Sequence, residues 1–247
     1  MINGQRILCI VPARAGSKGL PGKNVRLLGG KPLLTWPISA ALESSHVDRV
    51  IISTDSQEYA DIAVDAGADA PFLRPDELAS DHSPSIDFII HALDKLAQSG
   101  DHYDWLLLLE PTSPLTEAGD VDAAIAMLAA ADGLAESVVG VTAMESQHPA
   151  YSVTRHPDGR IAPLQGQRFA DMPRRQDLTP MFNLDGSLYL STVSALRRER
   201  NFCHDRTFGY VSSQEKALEV DSLTDFICIE ALLAYRKSMQ TSKNMTK

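Results

Sequence analysis

Short runs of consecutive apolar residues recur along the first half of the chain. Each is followed by a stretch in which apolar positions fall three or four apart. Ile7-Leu8-Cys9-Ile10-Val11, Val47–Ser53, Trp105–Leu109 and Ser137–Thr142 are of the first kind. Leu33–Ser45, Gln57–Ala66, Pro84–Ser99 and Ala118–Ala131 are of the second. In Pro84–Ser99, for instance, Ile86, Ile89, Ile90, Leu93 and Leu96 lie near helical spacing. The runs predict buried strands and the spaced stretches predict helices. Pro32 stands where a first-turn proline would open the helix at Leu33. Gly67 supplies the stop after Ala66. Strands that are apolar throughout are covered on both faces, so the alternation predicts an α/β fold: a mostly parallel, Rossmann-like sheet in three α/β/α layers. Ligands of such sheets bind outside the carboxyl ends of the strands. The loops after Val11, Ser53, Leu109 and Thr142 are therefore the ones to read for chemistry.

The rhythm changes between about Met144 and Phe182. Ser152–Arg155 and Arg160–Ala162 flank His156-Pro157-Asp158-Gly159, a hairpin signature. The stretch from Leu164 to Thr179 is polar and rich in Arg and Gln. A long polar excursion of this kind reads as a lid, an arm or an interface. Regular elements return with strands at Ser187–Ser191 and Phe208–Val211 and helices at Val193–Arg200 and Ser222–Arg236. The polar tail Thr241–Lys247 is expected to fray. The organisation expected is one domain over residues 1–247 with an arm at about 144–182.

Composition narrows the function. Against 23 Lys+Arg stand 32 Asp+Glu, a net charge of −9. That argues against a nucleic-acid partner or a polybasic membrane binder, but leaves room for a locally basic site. The three cysteines, Cys9, Cys203 and Cys228, are far apart and suit a reducing cytoplasm. The first apolar run, of five residues, is too short for a signal or membrane helix. The seven histidines show no zinc-ligand spacing, and no G-x-S-x-G nucleophile motif occurs.

The loop Pro12–Asn24 is the most informative segment. Gly16, Gly19 and Gly22 let backbone N–H groups approach an anion, and Arg14, Lys18 and Lys23 add three cations. A Walker A loop would require glycine at 17 and Ser or Thr at 24, where Ser17 and Asn24 stand; the glycine spacing also misses the dinucleotide fingerprint. Three cations at a strand end favour a triphosphate. Glu219 and Asp221, two apart, form a pair that oxygen-seeking Mg²⁺ could bridge to phosphates. Read on its own, the same pair could simply be solvated and cap the helix from Ser222, with Asp221 as N-cap.

Arg14-Ala15-Gly16-Ser17-Lys18-Gly19-Leu20-Pro21-Gly22-Lys23-Asn24 resembles the signature loop of the acylneuraminate cytidylyltransferases, the CMP-sialic acid synthetase family. The resemblance continues through Ser53-Thr54-Asp55, Arg74–Asp81, Pro111-Thr112-Ser113-Pro114-Leu115, Asp185-Gly186-Ser187-Leu188-Tyr189 and Glu219-Val220-Asp221. It implies a nucleotidyltransferase that joins CTP to a 2-keto-3-deoxy sugar acid and releases pyrophosphate. Arg14 and Lys23 would stabilise the transferring phosphate and the leaving group. Gly16, Ser17, Asn24, Arg74, Ser85, Thr112 and Ser113 would hold the nucleotide. Asp221 would be the stronger Mg²⁺ ligand and Glu219 the weaker. Glu110, Asp185, Gly186 and Tyr189 would form the acceptor pocket. Arg175, on an arm that builds a homodimer, would reach the partner's acceptor site. The chain departs from the sialic acid enzymes at Glu110, usually glutamine; Thr116 and Asn183, usually arginine; Tyr151, usually lysine; Asp185, usually asparagine; and Glu219, usually aspartate. These departures make a related nine-carbon acid of the legionaminic, pseudaminic or deaminated kind as plausible an acceptor as N-acetylneuraminic acid. A 3-deoxy-manno-octulosonate cytidylyltransferase and a non-catalytic nucleotide-binding relative are the competing readings.

Overall fold

The computed structural model describes residues 1–16, 20–80, 83–144, 148–164, 166 and 168–245. Six strands form the main sheet: β1 (Ile7–Pro12), β4 (Arg49–Ser53), β5 (Trp105–Leu108), β6 (Ser137–Ala143), β9 (Phe182–Thr192) and β10 (Thr207–Ser212). Their order is β10-β6-β9-β5-β1-β4. β9 runs antiparallel to both its neighbours and every other pairing is parallel.

Residue alternation along β1 divides the core. Ile7, Cys9 and Val11 enter one apolar cluster with α1 (Thr35–Leu42), α2 (Gln57–Asp65) and α4 (Ala118–Ala130). Leu8 and Ile10 enter the other, with α3 (Ser85–Gln98) and α5 (Val193–Glu199). Each face of the sheet thus has its own helical layer, as side chains of period two require. A third cluster holds α6 (Leu223–Met245) to the hairpin of β2 (Leu27–Leu28) and β3 (Lys31–Pro32), through Leu28, Leu33, Leu115, Val220, Phe226 and Ile229.

Two expectations need correction. Pro32 does not open a helix: it pairs with Leu27 in the hairpin, whose turn residues Gly29 and Gly30 have φ of 58° and 93°. Positive φ at both turn residues suits a two-residue hairpin, and α1 starts only at Thr35. The last helix also runs past Arg236 to Met245, over the expected start of the frayed tail; no Gly or Pro interrupts 223–245.

The expected arm leaves the sheet after β6. It carries β7 (Val153–Arg155) and β8 (Ile161–Pro163), paired antiparallel, then single 3₁₀ turns at Phe169–Asp171 and Arg175–Asp177. It rejoins the sheet where the Met144 N–H donates to Met181 O at 2.9 Å. β9 begins at Phe182 rather than Ser187. Its register on β6 slips between Val139 and Val141, around Gly186 with φ of 67°. Bulges of this sort re-aim side chains next to active sites.

Candidate active site

A cleft of about 480 Å³ opens at the carboxyl ends of β1, β4 and β5. Arg14, Lys23, Asn24, Arg74, Ser85, Glu110, Thr112 and Asp221 line it, so residues from five distant segments meet there.

The glycine-rich loop is pinned from both sides. Ala13 N–H donates to Ser53 O at 3.0 Å, and Ala15 N–H donates to the Asp55 carboxylate at 2.9 Å. Asn24 is buried, and its side-chain amide donates to Arg14 O at 3.2 Å. Asn24 therefore holds the loop with one of its amide hydrogens while lining the cleft. Gly22, at φ 66°, turns the chain into the 3₁₀ turn of Lys23–Val25, a conformation that favours glycine. Gly16 is at the described end of the loop; Ser17, Lys18 and Gly19 lie outside the described residues.

Lys23 faces the Glu219–Asp221 segment. Its Nζ donates to Val220 O at 3.1 Å and lies 3.6 Å from Asp221 Oδ1. Val220 is fully buried, and its N–H donates to Thr112 O at 2.7 Å, which ties the segment to the loop after β5. The Asp221 side chain is 76% exposed. It is not the helix cap: Ser222 and Asp225 cap α6 reciprocally, with Ser222 N–H to Asp225 Oδ2 at 2.7 Å and Asp225 N–H to Ser222 Oγ at 3.4 Å. Glu219 sits over Gly186, where a Cβ would stand 2.0 Å from Oε1. Burial pushes the Glu219 carboxyl up; Asp221 and Asp185 add to this, and Lys23 opposes it.

Arg74 forms the wall toward β4. It is buried and stacks 4.1 Å over Phe88; its guanidinium donates to Ser53 Oγ at 3.1 Å and Ser53 O at 2.5 Å. Burial lowers it to about 10, against Asp55 and Glu110. Ser80 and Ser83 share a 2.7 Å hydroxyl contact beside Ser85 at the start of α3. Ser80, Ser83 and Phe88 line the cleft without having been singled out as site residues. Phe88 reads from its helical spacing as a core residue, and the serines as a cap.

On the β5–β9 side, Ser113 is buried and its Oγ donates to Gly186 O at 3.1 Å. Burial pushes Glu110 up to about 7; Glu219 reinforces this, while Arg74 and Lys23 oppose it. Burial likewise pushes Tyr189 up to about 12, with Glu110 and Glu219 adding to it. Asp185 stands apart. It is 4% exposed, with Oδ1 accepting from Ser187 N–H and Oγ and Oδ2 from Ser212 Oγ. Its carboxylate is engaged inside the fold rather than turned to an acceptor. Thr116 is also buried, bonded to Ser187 O at 3.2 Å. Tyr151 ties down the arm through Pro173 O at 3.0 Å, and Asn183 is exposed on β9 opposite Thr142. Arg175 does not join the cleft: it lines a separate hollow of about 250 Å³ with Met144, His148 and Leu178.

No group of three or more His, Cys, Asp or Glu placed to hold a metal occurs among the described residues. Mg²⁺ typically takes one or two carboxylates plus substrate phosphates and waters. The open Asp221 carboxylate, with Glu219 behind it, fits a metal completed by phosphate oxygens. It does not fit an all-protein cage.

A cytidylyltransferase family model matches residues 8–232. The chain belongs to the cytidylyltransferase family. A CMP-N,N'-diacetyllegionaminic acid synthase from Legionella pneumophila is 35% identical over 92% of this cytidylyltransferase and 96% of its own length. An N-acylneuraminate cytidylyltransferase from Streptococcus agalactiae is 33% identical over 96% of the chain, which spans only 55% of that longer relative. In structure, a CMP:2-keto-3-deoxy-manno-octonic acid synthetase complexed with CTP superposes with a TM-score of 0.68, covering 94% of this chain and 99% of that one. At 18% identity that likeness speaks to the fold alone. It agrees with the three-layer α/β/α nucleotidyltransferase architecture. No helix among the described residues is long and apolar enough to cross a membrane.

Proposed function

We propose that this enzyme transfers CMP from CTP to the anomeric hydroxyl of a 2-keto-3-deoxy nine-carbon sugar acid, sialic acid or a legionaminic- or pseudaminic-type relative, and releases pyrophosphate. The observation that carries this reading is the meeting of Lys23 with Asp221 at the mouth of the glycine-rich loop, 3.6 Å apart. One cation and one open carboxylate face the same point, as an Mg²⁺–triphosphate requires.

The acceptor hydroxyl oxygen attacks the α-phosphorus as its proton leaves to solvent and the bond to the bridging oxygen breaks, and the pyrophosphate takes that electron pair. Negative charge grows on the transferred group and the leaving group, so fixed cations aimed at those oxygens supply the main stabilisation. Arg14 and Lys23 fill that role, and Val220 O fixes where Lys23 points. Bound Mg²⁺ would neutralise phosphate charge; Asp221 would hold it, supported by Glu219. The nucleoside lies along Arg74, Ser85 and Thr112, beside β4 and α3. The acceptor takes the opposite side, near Glu110, Ser113, Gly186 and Tyr189.

The arm supports a homodimer. Phe182, Leu184, Phe208 and Val211, on β9 and the edge strand β10, are exposed, as are Val153, Ile161 and Leu164 on the arm. Exposed apolar patches of this sort mark interfaces. A second copy would cover them and bring Arg175 toward the acceptor site across the interface. The free cysteines suit a cytoplasmic enzyme.

The test is pyrophosphate release on mixing the protein with CTP, Mg²⁺ and a panel of keto-deoxy acids. Release with nine-carbon acids is expected. Release with the eight-carbon octulosonate alone would favour the sister activity, and CTP binding with no release would favour a non-catalytic relative.

A further inference from the structure

Glu110 is an anomaly in a cleft built for a polyanion. It lines the cleft floor, yet its carboxylate makes no hydrogen bond or ion pair among the described residues. The two cations whose charge reaches it are engaged elsewhere. Arg74 donates to Ser53, and Lys23 donates to Val220 O beside Asp221. Glu219 is close enough to repel Glu110, and neither cation closes a hydrogen bond with it.

The sheet order says which substrate meets this wall. β5 lies on the opposite side of β1 from β4. A nucleotide laid from the glycine-rich loop after β1 toward Arg74 and Ser85 occupies the β4 side. The loop after β5 and the bulge of β9 are left for the second substrate. A carboxylate desolvated without a partner is costly unless the ligand supplies one.

We propose that Glu110 determines acceptor specificity by pairing with a positively charged amino or amidino substituent on the keto-deoxy sugar acid. This rests on the transfer reading above and narrows its substrate class. A protonated amine would hold Glu110 in its ionised form, relieve its repulsion from Glu219, and form a charge-assisted hydrogen bond. The acceptor's own carboxylate would point away from this wall.

The test compares kcat/KM for one nine-carbon keto-deoxy acid bearing a free amino group with that for its N-acetylated form, in the wild type and in Glu110→Gln. The wild type is expected to prefer the amine by about tenfold or more, the size expected of a hydrogen bond to a charged group. Glu110→Gln, close to isosteric, should erase most of that preference while CTP affinity measured by calorimetry stays within about twofold. Equal use of both acids by the wild type, or an unchanged preference in the variant, overturns this inference while leaving the transfer reading intact. An effect of Glu110→Gln confined to CTP affinity also overturns it, because Glu110 would then be reading the nucleotide. No pyrophosphate release with either acid removes the transfer reading and this inference together.

Discussion

Lys23 and Glu110 sit within reach of each other's charge in one cleft, yet they answer to opposite demands. Lys23 is held by a backbone carbonyl where, in the proposed mechanism, phosphate charge would grow. Its loss should therefore act on the chemical step. Lys23→Ala is expected to lower kcat by about 10²–10³-fold, with the acceptor KM moved far less, as steady-state pyrophosphate assays would show. Glu110 carries a cost in the folded state. Its carboxyl is raised from 4.5 to about 7, so between those pH values the native protein keeps a proton that the unfolded chain has released. Stability is unaffected below that window, falls as pH rises through it, and stays reduced above it. Removing the charge with Glu110→Gln should raise Tm at pH 8, by at most about 3 kcal/mol of stability, and leave it nearly unchanged at pH 4. Melting curves at the two pH values check this. At this scale the sequence was readable where chemistry is rare: a cation-rich glycine loop and a carboxylate pair stand out against any background. Asp185 was not readable. Nothing in the string Asp185-Gly186-Ser187 says that Ser212, 27 residues on, will take one of its oxygens.

Elements place these residues. β1 and β5 end at the cleft because their runs are apolar on both faces and must sit mid-sheet, and that was legible from hydropathy alone. The Glu219–Asp221 segment has no helix or strand of its own. It is held by the Val220 N–H bond to Thr112, by Val220's burial, and by the Ser222–Asp225 cap on α6. Removing an N-cap hydroxyl typically costs about 1 kcal/mol. Ser222→Ala should therefore lower Tm by a few degrees, about 2–4 °C per kcal/mol for a domain of this length. Because Asp221 precedes the cap, the Mg²⁺ concentration for half-maximal rate should rise as well; a metal titration of the variant reads this. Pro32 shows why local signals fail. A proline before an apolar stretch suits a helix start, but Gly29-Gly30 two residues earlier forces a hairpin that claims Pro32 first. The arm was legible as a break in rhythm. Its placement was not, because polar segments without periodicity carry no information about what they pack on.

Across the whole molecule, the exposed apolar residues of β9, β10 and the arm are left without cover. Leu184 is 57% exposed, so a charge there burdens an interface rather than the core. Wild type should sediment as a dimer and Leu184→Asp as a folded monomer. Loss of folding in the variant would place Leu184 in the protein's own core, and a monomeric wild type would remove the dimer. If Arg175 serves the acceptor site of a second copy, monomerisation should raise the acceptor KM and spare CTP binding. All of this depends on the cleft accepting the triphosphate of CTP. Calorimetry of CTP with Mg²⁺ addresses that directly, run on the wild type and on an Arg14→Ala, Lys23→Ala double variant. Saturable one-site binding that weakens by at least about tenfold in the double variant is the predicted result; no heat of binding in the wild type, or equal affinity in both proteins, would contradict the account.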